Sequence, residues 1–312
     1  MDRPSVHVVI VNWNSGGQLG QCLASFAAVA GDAVTVARIA VVDNASSDGS
    51  CDALPGLPAL AVSHNPENRG FAAACNQGAA GAQADFLLFL NPDTRLMPGA
   101  LARPAAYLLA PENSQVGIVG IQLLDESGHV ARHTARMPTA WSMIGASLGL
   151  DRLMPSVFPP HFLTDWPHDE TRAVDQVMGA FMLMRRLLFE SLGGFDERFF
   201  VYFEDLDLAQ RARQHGFTSV YLATAQAFHR GQGTTASAID KRTYQFARSR
   251  ILFALKYFSK AGAALVVATT LVVEPFTRAL AALAGGRSAA DVFRAFARLW
   301  GDLPTILKLG WR

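Results

Sequence analysis

Four apolar runs, each breaking off in Asn, Asp or His, constrain this chain more than any other feature. "VHVVIV" (6–11) stops at Asn12, "VARIAVV" (36–42) at Asp43, "LAVS" (60–63) at His64-Asn65, and "FLLFL" (86–90) at Asn91-Pro92-Asp93-Thr94. Continuous β-branched runs of this length suit central parallel strands buried on both faces. Between them, Leu19, Cys22, Leu23 and Phe26 recur at helical spacing, and "FAAACNQGAAGAQ" (71–83) reads as an Ala-rich helix. Strand–helix alternation with polar loops after the strands predicts a doubly wound α/β sheet flanked by helices. Ligands of such sheets sit outside the carboxyl ends of the strands. Whether Asp93 merely closes a turn or does chemistry there depends on the rest of the chain.

From residue 117 the pattern changes. "VGIVGIQLLDESGHVARHT" reads as a strand and a hairpin turning at Asp125-Glu126-Ser127-Gly128. The stretch 141–174, rich in Pro and aromatics, reads as a long loop or lid. "VDQVMGAFMLMRRLLFESLGG" then supplies a strand, a helix and a Gly193-Gly194 turn. "YFEDLDLAQRARQHGF" (202–217) is a helix with an acidic first turn, which suits its N-terminal dipole. "SVYLATAQAFH" is a last strand ending near His229.

Beyond residue 240 the α/β pattern ends, which divides the chain into 1–240 and a helical region 241–312. The uncharged run 261–273 has 13 residues, short of the ~20 needed to span a bilayer, and Glu274-Pro275 is expected to end it. In the last helix Val292, Phe293, Phe296, Leu299, Trp300 and Leu303 share a face, with Arg294 and Arg298 elsewhere. A basic amphipathic helix with a Trp fits a membrane interface; a helix docked on the main domain or on another subunit has the same pattern. Charge supports the first reading. Residues 241–312 hold 12 Lys/Arg against 3 Asp/Glu, whereas residues 1–240 hold 15 against 23. A basic, apolar tail behind an acidic body suits anionic lipid. The whole chain is near neutral at +1, which argues against a general nucleic-acid binder. Cys22, Cys51 and Cys75 form no CxxC pair and read as reduced structural thiols of a cytosolic protein. "MDRPSVHVVIVNWN" has too short an apolar stretch for a signal peptide and reads as a first strand. The expected location is the cytoplasm, at the inner face of the cell membrane.

Five polar clusters therefore call for a role: Asp43-Asn44, Asn68-Arg69-Gly70, Asn91-Pro92-Asp93, His229, and Glu204-Asp205 at a helix start. Each has a bland reading. Asp43 could cap a helix, Glu204 and Asp205 could serve the helix dipole, and His229 could be a hydrogen-bonded rim residue. Their joint position at the carboxyl edge of one sheet makes them candidates to meet.

The motifs "VIVNWN", "VVDNASSDGS", "NRGFAAACNQG", "FLNPDT", "VDQVMGAFMLMRR", "GGFDERFFVYFEDLDLAQRARQHGF" and "AFHRGQGT" follow one another over about residues 6–235. In that order they resemble a family 2 inverting glycosyltransferase, most of all its rhamnosyltransferase-like branch. The resemblance implies the GT-A fold, a Rossmann-like mixed sheet of nucleotide-diphospho-sugar transferases, here with a C-terminal helical membrane-proximal extension. It implies sugar transfer from a nucleotide-diphosphate donor to an acceptor hydroxyl, with inversion. The first donor it suggests is dTDP-L-rhamnose, then another UDP- or dTDP-sugar, and the acceptor a glycan or lipid-linked glycan of the cell surface. Carried over by position, Asp43 would recognise the pyrimidine base, with Val11 and Asn12 beside the nucleoside. Asn68, Arg69, Gly70 and Asn76 would form the donor loop and helix. Asn91-Pro92-Asp93 replaces the family's Asp-x-Asp, leaving Asp93 as the carboxylate for Mg2+ or Mn2+ and His229 as a second ligand. Asp205 would be the general base, favoured in its ionised form by the helix N-terminus. Glu204 and Arg136 would face the acceptor or support the site, Gly179 and Ala180 would floor the sugar pocket, and Asp207 would pair with Arg211 on the helix surface. The branch often has Trp where this chain has Gln176, and the stretch 141–174 matches it poorly.

Two other classes fit less well. A non-catalytic sugar-nucleotide scaffold would be expected to lose Asp93 or Asp205, and both are present. A nucleotidyltransferase would carry a basic Gly-rich loop after the first strand, where "NWNSGGQLG" has neither Lys nor Arg.

Overall fold

The computed structural model describes residues 3–231, 239–286 and 288–310. The end of the motif "AFHRGQGT", at 232–234, lies outside them. The strands are β1 (Ser5–Asn12), β2 (Thr35–Asp43), β3 (Leu60–His64), β4 (Phe86–Leu90), β5 (Thr94–Leu96), β6 (Val116–Leu124), β7 (Arg172–Val174), β8 (Phe181–Arg185) and β9 (Thr218–His229). They form one sheet in the order β3-β2-β1-β4-β8-β6-β9-β5, with β7 on β9. The pairs among β1 to β4 and the pair β6–β9 are parallel. β8 runs antiparallel between β4 and β6, so the sheet is mixed, as the family resemblance implied.

This topology gathers one edge. Asn12, Asp43, His64 and Asn91 follow the ends of parallel strands, and β8 starts opposite the end of β4, with Leu90 facing Phe181. Alternate residues of β1 feed the two sides of the sheet. Val6, Val8 and Ile10 pack with Leu19, Cys22 and Leu23 of α1 (Gln18–Ala24), and with Ala105 and Leu108 of α3 (Ala102–Leu109). Val9 and Val11 pack with α2 (Phe71–Ala79) on the other face. A Cβ on Gly78 of α2 would lie 2.5 Å from Val9 Cγ1, so the small residues there bring the helix hard onto the sheet. α6 (Arg186–Ser191) and α7 (Glu204–Gln214) cover the same side through Leu188, Phe189, Leu208 and Ala212. Cys22, Cys51 and Cys75 are free; burial raises the Cys51 thiol to about 11.

Contacts group residues 1–136, 162–197 and 204–234 into one compact unit, and 137–161, 198–203 and 235–312 into a second. The second is helical: α4 (Ala140–Ser147), α5 (Leu150–Leu153), α8 (Ile239–Tyr257), α9 (Lys260–Ala268), α10 (Glu274–Ala284) and α11 (Ala289–Gly310).

Several expectations need correction. The stretch 141–174 is not one long loop. Thr139 caps α4 through a capping box with Ser142, Gly149 in a left-handed conformation starts α5, and β7 joins the sheet. The hairpin after β6 reduces to a turn closed by one bridge, Leu124–Val130. Nor does Glu274-Pro275 stop the helix before it. A π turn at Thr269–Val273 widens the ladder, Pro275 falls in the first turn of α10, and the helix runs from Lys260 to Ala284. Proline is tolerated there because its missing N–H falls where the regular ladder is already interrupted. On α11, Val292, Phe296 and Leu299 face inward, whereas Phe293 and Trp300 face out.

Candidate active site

The sheet edge carries three groups of polar side chains, all in the first unit. The first is built on Asn12 and Asp43, at the register-paired ends of β1 and β2. Both are buried. Asn12 Nδ2 donates to Asp43 Oδ1 at 2.9 Å, to Ser50 Oγ at 2.8 Å and to Ser46 Oγ at 3.1 Å. Ser15 Oγ donates to Asn12 Oδ1. His64 Nδ1 lies 3.2 Å from Asp43 Oδ2, and the Ser46 N–H points to the same oxygen at 3.4 Å. Burial pushes the Asp43 carboxyl up, but the hydrogen bonds from Ser46, Asn12 and His64 outweigh it and hold the group below the ordinary aspartate range. The result is a buried, ionised acceptor. Ser46 and Ser50 were not singled out from the sequence; "NASSDGS" offered the signal, as hydroxyls three to seven residues beyond a strand-end carboxylate.

Next to it, the 65–70 loop is tied down by side-chain amides. Asn44 donates to the Gly70 carbonyl at 3.0 Å and accepts from Asn65 at 2.9 Å, and Asn68 Oδ1 accepts from the Gly70 N–H at 2.9 Å. Gly70 has φ 88°, a conformation that favours glycine, and it caps α2. Arg69 is exposed, reaching Gln77 at 3.3 Å. Asn76 is differently employed. Its amide donates to the Phe195 carbonyl and to Glu197, and its oxygen accepts from the Phe195 N–H, clamping α2 to the 193–197 turn.

The second group is Asp93 with His229. Asn91 N–H bonds the Ala180 carbonyl at 3.0 Å and Thr94 Oγ1 bonds it at 3.2 Å, so buried Ala180 anchors the Asn91-Pro92-Asp93-Thr94 turn. Thr94 faces His229 across the β5–β9 pair. This register sets His229 Nε2 3.3 Å from Asp93 Oδ1, with both side chains nearly buried, at 13% and 10% exposure. They open onto a cleft of about 210 Å³ lined by Gln18, Gln21, Arg95, Glu126 and Arg230. A carboxylate oxygen and an imidazole nitrogen 3.3 Å apart are close enough to share one divalent cation, with two protein ligands. Among the described residues, no three His, Cys, Asp or Glu side chains come together as a fuller cage.

The third group is at the start of α7. Asp205 Oδ2 accepts from the Gly179 N–H at 3.2 Å. A Cβ on Gly179 would sit 3.7 Å from that oxygen and 4.0 Å from Phe71, so the 179–180 stretch separates the base candidate from the start of α2. Gln176, buried and tied to Ala135 by reciprocal backbone bonds of 3.1 and 3.2 Å, donates its side chain to Asp205. Its own oxygen has no partner. The ionisation expected from the helix N-terminus alone is not what this environment favours. Burial raises Asp205, against the hydrogen bonds from Leu206, Gln176 and Gly179. Glu204 is raised further, by burial and then by the Asp205 charge. Of the two carboxyls, Glu204 is the more strongly pushed toward its protonated form. Tyr202 and Phe203, just before them, both have positive φ, 66° and 67°. Asp207 is not on the helix surface: it is fully buried and bonded to Arg211 Nε at 2.8 Å. Arg136 donates to Asp165 in a two-pronged pair at 2.8 and 2.7 Å.

A mixed sheet with a buried acceptor at the ends of β1 and β2, an acid–imidazole pair just beyond β4 and a buried carboxylate at the start of α7 is the arrangement that the sequence resemblance implied for a GT-A glycosyltransferase. The chain belongs to glycosyltransferase family 2: the family described as "Glycosyltransferase like family 2" matches residues 4–250. It is similar to the N-acetylglucosaminyl-diphospho-decaprenol L-rhamnosyltransferase of Mycobacterium tuberculosis, 29% identical over 267 residues, which cover 78% of this chain and 84% of that protein. It is 28% identical over 182 residues to the rhamnosyltransferase WbbL of Escherichia coli, covering 55% of this chain and 65% of that one. In fold it resembles a Pyrobaculum calidifontis mannosyltransferase solved with GDP-Man and Mn2+, with a TM-score of 0.54 at 19% identity, covering 99% of this chain and 84% of the other.

Proposed function

We propose that this glycosyltransferase moves L-rhamnose from dTDP-L-rhamnose, with inversion, onto a lipid-linked glycan acceptor of cell-surface polysaccharide synthesis. The observation that carries the reading is the Asp93–His229 pair, 3.3 Å apart, at the same sheet edge as the ionised Asp43. Asp43 accepts from the pyrimidine N–H while Asn12 and Val11 line the nucleoside. Asn91 and the Asn68-Arg69-Gly70 loop border the diphosphate. Asp93 and His229 would hold one Mg2+ or Mn2+, which would supply positive charge against that of the departing diphosphate. Asp205 takes the proton of the acceptor hydroxyl as that oxygen attacks the anomeric carbon from the face opposite the diphosphate. Gly179 and Ala180 leave room for the sugar, and burial of Glu204 beside Asp205 disfavours a second negative charge next to the base. The rhamnosyltransferase relatives favour rhamnose as the sugar; a different UDP- or dTDP-sugar would use the same residues. The lipid-linked acceptor and the basic helical region favour work at the inner membrane face.

Titration calorimetry with dTDP, UDP and GDP, each with Mn2+ and with chelator, tests this. Binding of dTDP that needs the metal and is lost in Asp93→Ala is the expected result. Equal binding of all three nucleotides, or none with any metal, would overturn it.

A further inference from the structure

The helix Lys260–Ala284 is 25 residues long, with mean hydropathy 1.5 over its most apolar window. At 1.5 Å per residue it is about 37 Å long, enough to cross a bilayer by length and composition. Its inner face contradicts a crossing. Ala263, Val266, Thr270, Leu271, Ala279 and Ala282 are buried within the helical unit. At mid-helix Glu274, only 2% exposed, is bonded to Arg250, to Arg278 at 2.5 Å and to Ser147 at 3.4 Å. Arg250 also donates to Thr270 at 2.9 Å. A crossing helix would have to leave these partners and carry an unpaired carboxylate into hydrocarbon.

The outer face has the opposite character. Leu265, Val272, Phe276, Leu280 and Leu283 are each more than half exposed, at spacings of seven, four, four and three residues. The exposed residues between them along this face, from Ala261 to Ala284, carry no charge. α11 widens the stripe: the Phe293 ring lies 6.1 Å from Phe276, and exposed Trp300 donates its indole N–H to the Leu271 carbonyl at 3.3 Å. The same unit exposes Trp141, Leu153 and Val157 on and beside α4 and α5. Of the sixteen large hydrophobic side chains exposed among the described residues, twelve lie in this unit. By sequence the unit also carries 14 Lys/Arg against 5 Asp/Glu. Lys260 stands at the head of the stripe, and Arg294, Arg298 and Lys308 are exposed on α11.

We infer that Lys260–Ala284 is a monotopic membrane helix. Its outer stripe, with Phe293 and Trp300, beds into the headgroup–acyl boundary of an anionic bilayer. Its inner face stays locked to the protein by Glu274 and its arginines, so the chain does not cross. Apolar burial supplies the depth, and the basic side chains supply the preference for anionic headgroups. This deepens the membrane reading above and rests on it, but it is independent of the donor.

The test uses the full chain with vesicles of phosphatidylcholine alone and with 30 mol% phosphatidylglycerol, read by flotation and by quenching of Trp emission with brominated lipid. The expected result is flotation with the anionic vesicles, at least tenfold weaker with neutral ones, and quenching by bromines near the headgroup end of the acyl chain. The double substitution Phe276→Asp with Leu280→Asp, at exposed positions, should abolish flotation while the far-UV spectrum and the dTDP-induced melting shift stay as in the parent. Retention of that shift separates loss of membrane docking from failure of the glycosyltransferase reading. Three results would each overturn the inference: no flotation with either vesicle, labels at Ala261 and Ala284 reporting opposite sides of the bilayer, or a stable dimer that the double substitution splits.

Discussion

Replacing Asp43 by Asn separates a buried hydrogen-bond hub from a spectator at the sheet edge. The side chain keeps its size, and its remaining oxygen can still accept from Asn12 Nδ2, at 2.9 Å in the parent. The other oxygen becomes an NH2 facing the Ser46 N–H and His64 Nδ1. His64 can accept from it as the neutral tautomer; Ser46 cannot. The substitution therefore removes one backbone bond and the charge assistance of another, about 1.5–3 kcal/mol. That corresponds to roughly 3–10 °C in the melting of a domain of this size. The pH dependence has a definite sign. Asp43 titrates below its ordinary value of 3.8 in the folded chain, so its stabilisation is present above the unfolded value and is lost as pH falls through the lower folded one. Parent and variant should differ fully at pH 6–7, and the difference should begin to shrink only below the ordinary aspartate value of 3.8. Nucleotide binding should fall in parallel. An acceptor toward the base N–H becomes a donor, at a cost of about 2–3 kcal/mol, or roughly 30–150-fold in Kd. Calorimetric scanning from pH 3 to 7, with nucleotide titrations at pH 7, measures both. A variant that melts with the parent at pH 7 and binds dTDP equally would refute the hub.

Asp93→Ala and His229→Ala should each weaken Mn2+-dependent nucleotide binding by roughly tenfold or more, read as the Mn2+ concentration giving half the melting shift; unaltered Mn2+ dependence would remove them from the metal shell. Glu204→Gln should stabilise the fold, and more so as pH rises. The raised carboxyl favours the folded state only below the unfolded glutamate value and loses that contribution as pH climbs through the folded one. Melting at pH 5 and pH 8 checks the sign, and an equal or negative change at pH 8 would show that Glu204 is ionised and paired. Gln176→Leu should move the acid limb of the kcat profile to higher pH, because the bond that favours the Asp205 carboxylate is lost; a fall in rate with no movement of that limb would make Gln176 a packing residue only.

The strands and helices of the sheet were legible because each apolar run ends in its own turn chemistry, as "VHVVIV" ends at Asn12 and "FLLFL" at Asn91. The insertion of antiparallel β8 between β4 and β6 was not, because "FMLMR" is as apolar as its parallel neighbours and direction leaves no mark on composition. That Asp43, Asp93 and His229 lie at or just beyond strand ends followed from the polar residues that close the apolar runs. Asn76 shows the limit: on α2 it looks like a ligand-facing amide, and only its bonds to Phe195 and Glu197 reveal a clamp. The capping box at Thr139 and Ser142 was present in "PTAWS" but masked by the prolines and aromatics around it. At Pro275 a local rule lost to context, since a π turn upstream let the helix continue. The charge state of Asp205 depends on neighbours 26 and 29 positions away in the chain, Gly179 and Gln176, and helix position alone could not supply it.

Under the proposed function, Asp205 is the base of a sugar transfer whose donor is held elsewhere, by Asp43 and by a cation that Asp93 and His229 would hold. Asp205→Asn tests it most directly, assayed for single-turnover transfer from dTDP-L-rhamnose and, in the same preparation, for Mn2+-dependent dTDP binding. The expected result is a rate lower by about 10²–10⁴ with the nucleotide Kd within a factor of two of the parent. Transfer at the parent rate, or loss of nucleotide binding along with turnover, would contradict it.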